Sequence, residues 1–197
     1  MTIRDILIRA LRRIGREDLS ADVGSGVEPS GEGAEVVTTM LYCINATEDE
    51  LARYYFPLKC TETLHLGQSK TLRFSDFSNT PVKILSVKSD GAEIAFELQP
   101  NCLIADATSI EVTYYYAPKQ KGVDDESTFG ETGGGKIIEL GAAAEYCLIG
   151  GEAALAEMWE TRYREAIDMT RQMLENDNAY SGEKLDRGGY IPPRRWV

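Results

Sequence analysis

The chain has 197 residues, 43% hydrophobic and 9% aromatic, enough to bury a core in one domain or two small ones without metals or disulfides. A formal net charge of −11 argues against broad nucleic-acid binding, which needs a basic face, although an acidic wall lets nucleic acid slide past without sticking. Cys43, Cys60, Cys102 and Cys147 are widely spaced with no CxxC pair, and His65 is the lone histidine, so no zinc site is patterned. The opening MTIRDILIRALRRIG has no continuous apolar stretch of the signal-peptide kind, and no run approaches transmembrane length. A chain made in the cytoplasm with reduced thiols is expected.

Thr2 caps a first helix whose apolar residues are Ile3, Ile6, Leu7, Ala10, Leu11 and Ile14, ended by Gly15. Its other face carries Arg4, Arg9, Arg12 and Arg13. REDLSADVGSGVEPSGEG reads as a loop. A second helix begins near Gly33 with a stripe of Val37, Met40, Leu41 and Ile44. NATEDELARYYF continues it, or restarts it with Thr47 and Glu50 as a capping box, and Pro57 stops it.

The period then changes. TETLHL, KTLRF, VKILSV, AEIAFEL and SIEVTYYYA alternate and are separated by the turns GQS, SNTP, KSDG and PNCLIADAT, which predicts an antiparallel unit of about five strands. In the last strand Val112, Tyr114 and Tyr116 share one face, Thr113 and Tyr115 the other. APKQKGVDDESTFGETGGGK is a loop. IIELGAAAEYCLIG and EAALAEMWETRYREAIDMTRQMLEN then form a helical hairpin about Gly150 and Gly151. The apolar positions of the second arm include Ala154, Leu155, Met158, Trp159, Tyr163, Ala166, Ile167 and Met173.

The expected class is α+β: a helical bundle from both chain ends, a small inserted antiparallel β-domain and an extended C-terminal tail. Its parts are N-terminal helices at 1–58, the β-unit at 59–118, a loop at 119–136, the hairpin at 137–178 and the tail at 179–197.

Little chemistry is patterned. GETGGGKI matches a phosphate-binding loop as far as Lys136, but Ile137 stands where Ser or Thr is needed, and no buried strand precedes it. A plain glycine loop ahead of a helix is the better reading. Asp124, Asp125 and Glu126 suit a helix cap or loop better than a metal. Cys43 and Cys147 read as small core residues. One histidine and scattered acids give no catalytic constellation, so neither an enzyme nor a cofactor nor a metal is expected. The tail RGGYIPPRRWV is different: Gly188 and Gly189 hinge it, Pro192 and Pro193 stiffen it, and Arg194, Arg195 and Trp196 are interface-anchoring types.

The chain resembles tailed-bacteriophage head–tail connector proteins, the adaptors of the neck. The likeness lies in AEVVTTMLYCINATEDELARYYFP of the N-terminal helical pair, in the hairpin GAAAEYCLIGGEAALAEMWETRYREAI, and in the extended tail that leaves it. The β-unit is its least typical part. The resemblance implies a structural virion protein below the portal protein, assembled with other copies of itself into a ring, commonly of twelve. The ring extends the DNA channel without binding DNA specifically and offers a surface to tail or stopper proteins. It implies no membrane association. Tyr190, Ile191, Pro192, Pro193, Arg194, Arg195, Trp196 and Val197 then form the portal-docking segment. Arg9, Arg12, Arg13, Trp159, Arg162 and Tyr163 are candidates for contacts between subunits. The alternatives are a stopper or tail-completion protein of the same neck, a non-viral protein-binding module, or a nucleotide binder using the glycine loop.

Overall fold

The computed structural model describes residues 1–130 and 134–181, with side chains as far as Leu174 on the last helix. Over these residues it is an α+β protein of five helices and two small antiparallel sheets. The chain divides into a helical unit, Met1–Glu50 with the chain from Gln120 onward, and an inserted β-unit, Leu51–Lys119.

Thr2 opens helix α1 (Ile3–Arg13) with a capping box: its hydroxyl accepts from Asp5 N, and the Asp5 carboxylate accepts from Thr2 N. Two further amides of that first turn, Ile3 N and Arg4 N, donate to the carbonyls of Asp125 and Val123 at 2.8 Å. The chain at 123–125, beside the acidic run, thus caps α1 with its backbone. The segment expected as a loop after α1 holds a second helix, α2 (Glu17–Ser25). Leu19 and Val23, one turn apart, are buried, and this short apolar edge on α1 outweighs the Gly and Ser content.

Helix α3 (Glu32–Glu50) buries Val36, Met40, Cys43, Ile44 and Thr47, while Val37 and Leu41 of the expected stripe are only half-buried. It does not restart at Thr47, whose hydroxyl donates back to the Cys43 carbonyl at 2.8 Å. It runs on as a π-helical turn at Leu51–Tyr55 and stops before Pro57. Helix α4 (Gly134–Ile149) buries most of its residues, with Lys136, Leu148 and Ile149 exposed, and packs on α1, on α3 and on α5 (Ala153–Ser181). At Gly141 an added Cβ would stand 2.6 Å from Thr47 of α3 and 2.9 Å from Tyr163 of α5, so three helices close on one glycine.

The β-unit has seven strands rather than five: β1 (Leu58–His65), β2 (Thr71–Arg73), β3 (Thr80–Ser89), β4 (Ala92–Glu93), β5 (Phe96–Gln99), β6 (Cys102–Ala105) and β7 (Ser109–Ala117). They form an antiparallel sheet β1-β7-β3-β4 and a second one β2-β6-β5. AEIAFEL is split between the two sheets. The presumed turn PNCLIADAT carries β6, whose Leu103 and Ala105 are buried. Asp90 and Gly91, both at positive φ (52° and 81°), turn β3 into β4 as the KSDG signal required. Val112 and Tyr114 of β7 sit in a core with Leu66, Leu72, Phe77, Val87 and Ile110.

Candidate interaction surface

The arginines of α1 serve mostly inside the subunit. Arg4 bonds Asp124 at 2.7 Å and the Val23 carbonyl at 2.8 Å. Arg12 donates to Ser20 Oγ at 3.0 Å, tying α1 to α2. Arg13 pairs at 2.7 Å with Glu139, a buried carboxylate of α4. Its guanidinium also lies 5.5 Å from the centre of the Trp159 ring, and Arg162 lies 5.0 Å from the same ring. Trp159 and Tyr163 are interior side chains, buried with Ala156 and Ile167 on the core side of α5. Neither presents a free surface to a neighbour. Arg9, Arg12 and Arg162 remain at the surface.

Beside this core side α5 keeps a second apolar stripe that the core does not use. Leu155, Met158, Met169 and Met173 recur along it at helical spacing, all exposed, with Met169 at 59% and Met173 at 62%. Ala154, Leu155, Met158 and Met173 are among the apolar positions of the helix, but the buried arc is narrower than the apolar one. Between α1, the start of α4 and this stripe runs a groove of about 760 Å³, floored by Ile137, Leu140, Ala166, Met169 and Met173. Lys136 and Arg162 stand at its rim, with Glu165 as the acidic member.

A polar hub fixes the loop that leads into α4. The Glu48 carboxylate, 1% exposed, accepts from Ser127 Oγ at 2.6 Å and from Thr128 N at 3.0 Å, and Lys121 Nζ lies 3.3 Å from its other oxygen. Lys121 Nζ also donates to Thr128 Oγ1 and the Glu126 carbonyl. Asn45, one turn earlier on α3, bonds both the N–H and the carbonyl of Lys121, at 2.7 and 3.0 Å. Sequence reasoning missed this hub. Its partners are far away in the chain, and nothing local marks Glu48 as the acid that goes inside.

In the β-unit the Tyr114 hydroxyl donates to Glu62, which also accepts from Ser78 Oγ at 2.6 Å. Burial pushes the Glu62 carboxyl up, but the hydrogen bonds from Ser78 and Tyr114 outweigh it and hold it below its ordinary value. Burial, with help from Glu62 and Cys60, pushes the Tyr114 phenol up. Burial also raises the Cys43 thiol to about 12 and Cys147 in the same direction, so neither is a ready nucleophile. Both are buried, as small core residues should be.

At its described end, the glycine loop is filled by the chain itself. Gly134 N donates to the Phe129 carbonyl at 3.1 Å, and the spaces over Gly134 and Gly135 are filled by Phe129 and Met1. Residues 131–133 lie outside the described residues, as does the chain from 182, including Gly188, Gly189 and the docking segment Tyr190, Ile191, Pro192, Pro193, Arg194, Arg195, Trp196 and Val197. Among the described residues no cluster of three or more His, Cys, Asp or Glu is placed to hold a metal, and no helix is long and apolar enough to cross a membrane. No protein-family model matches the chain, and no curated protein matches it.

Proposed function

We propose that the chain is a head–tail connector subunit of a tailed bacteriophage: an adaptor that joins other copies of itself in a ring under the portal protein, extends the DNA channel and offers the tail its attachment surface. The observation that carries the reading is the helical unit itself. Segments on either side of the inserted β-unit build it, and its last helix keeps an apolar stripe unused by the core while leading into a C-terminal segment whose sequence is aromatic, proline-rich and basic. A subunit that keeps an exposed apolar stripe beside its own core fits an architectural role built on contacts. The charge of −11 fits a conduit past which DNA slides unheld.

In this reading Pro192 and Pro193 hold the tail extended, Trp196 fills an apolar pocket of the portal, and Arg194 and Arg195 meet acids or carbonyls there. Removing residues 190–197 tests it. The truncated protein is expected to keep the circular dichroism and melting temperature of the full chain but to lose binding to portal-bearing capsids. Unchanged docking would refute the tail assignment, and unfolding would show that the segment belongs to the core. Electron microscopy of assembled particles then separates an adaptor against the portal from a stopper one ring lower.

A further inference from the structure

We infer that copies of this chain associate head to tail, the groove along α5 of one copy receiving the outer face of α3, centred on Tyr42, of the next. The inference deepens the ring reading above, and rests on it only for closure into a ring.

The groove asks for a particular partner. Its floor is apolar and rich in methionine, a side chain that adapts to what packs on it, and its Met169 and Met173 lie open although the core beside them is complete. Its rim carries Lys136 and Arg162 in a chain whose net charge is −11. The fitting occupant is therefore apolar with acidic neighbours.

The outer face of α3 has that chemistry. Tyr42, 59% exposed, lies opposite the buried Met40, Cys43, Ile44 and Thr47 of the same helix. Glu35 and Thr38, on the same face and toward the N-terminus, are exposed too, with Glu32 in the first turn. A tyrosine is a rigid anchor that costs little conformational entropy to seat, and Glu35 supplies the charge opposite to Lys136 and Arg162, whereas Glu32 already faces Arg16 of its own copy at 4.0 Å. The two patches are separate, because α3 packs on α1 and α4 and its Tyr42 face points away from both. One copy therefore carries both halves of the contact. A contact of that kind is heterologous, and it closes into a ring or runs on as a filament.

The test uses the full chain and two variants, Met169→Glu/Met173→Glu on the groove and Tyr42→Lys on α3. All three positions are exposed, so circular dichroism should report unchanged folding. In sedimentation velocity over a concentration series the wild type is expected to form oligomers. Each variant alone should lose about tenfold or more in association constant. The two variants mixed should form one-to-one dimers and nothing larger, because each retains the half that the other lacks. A wild type that stays monomeric at every concentration overturns the inference, as do variants that associate like the wild type or a mixture that stays monomeric. A chain ended at Ser181 that associates where the full chain does not would make the chain's own C-terminal segment the occupant, which also overturns it. Portal-bearing capsids are assayed separately. Self-association without capsid binding would sink the connector reading and leave this contact standing.

Discussion

In the helical unit two carboxylates, Glu48 and Glu139, are almost fully enclosed and each meets a cation, whereas in the β-unit Glu62 is hydrogen-bonded but only half-buried. The difference follows from how each kind of packing finds its register. In the sheet, the backbone ladder from Leu58↔Tyr116 to His65↔Ser109 sets the pairing, and a slip by one residue would turn every apolar side chain outward. Helix packing has no such ladder. Apolar stripes such as those of α3 and α4 tolerate sliding, and a buried polar pin is one way to fix which turn meets which. The helical unit also draws its helices from chain segments far apart, so the crossing loop at 120–130 has to be fastened down. Asn45, Glu48 and the capping of α1 do that.

Cutting the pin should give the largest effect. Glu48→Ala leaves Lys121 part-buried without its carboxylate and Ser127 and Thr128 without their acceptor, and is expected to cost about 3–5 kcal/mol. The loss should be confined to the helical unit. The cysteines report this directly, since Cys43 and Cys147 lie in the helical unit and Cys60 and Cys102 in the β-unit. Pulsed thiol labelling along a denaturant series should show Cys43 and Cys147 reacting much earlier in the variant, with Cys60 unchanged. Equal shifts at all four would mean that the two units unfold as one.

A smaller effect is expected at Gly141, where α3, α4 and α5 converge. Gly141→Ala gains helix propensity, but its Cβ would press on Thr47 Cγ2 and the Tyr163 ring. The net cost should be about 1–3 kcal/mol, again read at Cys43 and Cys147. A stabilised variant would show that the helices part there easily and that apolar packing, rather than the polar hub, is the loose element of the unit.

The architecture was legible from the period change after Pro57 and its reversal near Ile137, because amphipathic helices and alternating strands leave different marks. What escaped had weak local marks. Helix α2 rests on Leu19 and Val23 amid residues typical of loops. Strand β6 lies in a stretch whose Pro, Asn and Asp look like a turn. The candidate surface was legible in part. The Arg13 and Trp159 residue types drew notice, but as contacts between subunits, and no pattern tells a tryptophan held between two of its own arginines from one offered to a neighbour. The pattern does not separate the α5 stripe from the core, because apolar periodicity gives the width of the greasy arc and not the width that the core covers. Glu48 escaped because its partners, Lys121, Ser127 and Thr128, come from the far side of the inserted unit.

The smallest effect belongs to the β-unit, where register does not depend on the polar pair. Tyr114→Phe keeps the ring in its edge-on contact with Phe77, 5.1 Å between centroids, and removes only the hydroxyl that Glu62 accepts from. Since Glu62 keeps Ser78 and is partly open to water, the cost near neutral pH should be about 1 kcal/mol. The pH dependence is the sharper reading. The folded Glu62 carboxyl lies below its ordinary value, so its contribution is present above about pH 4.3, the unfolded value, and is lost as pH falls through the folded one. The Tyr114 phenol is pushed the other way, so its contribution is full below about pH 10 and declines as pH rises above that. Tyr114→Phe should therefore reduce both limbs: the alkaline one by the phenol's share, with the share of Cys43 and Cys147 remaining, and the acid one in part, because Ser78 still holds Glu62 down. Denaturant titrations at each pH, each ended by a labelling pulse at one fixed pH and read at Cys60, would check it. A variant with the same acid limb as the wild type would assign the lowering of Glu62 to Ser78 alone, and would leave Tyr114 as a core ring whose hydroxyl merely finds a partner.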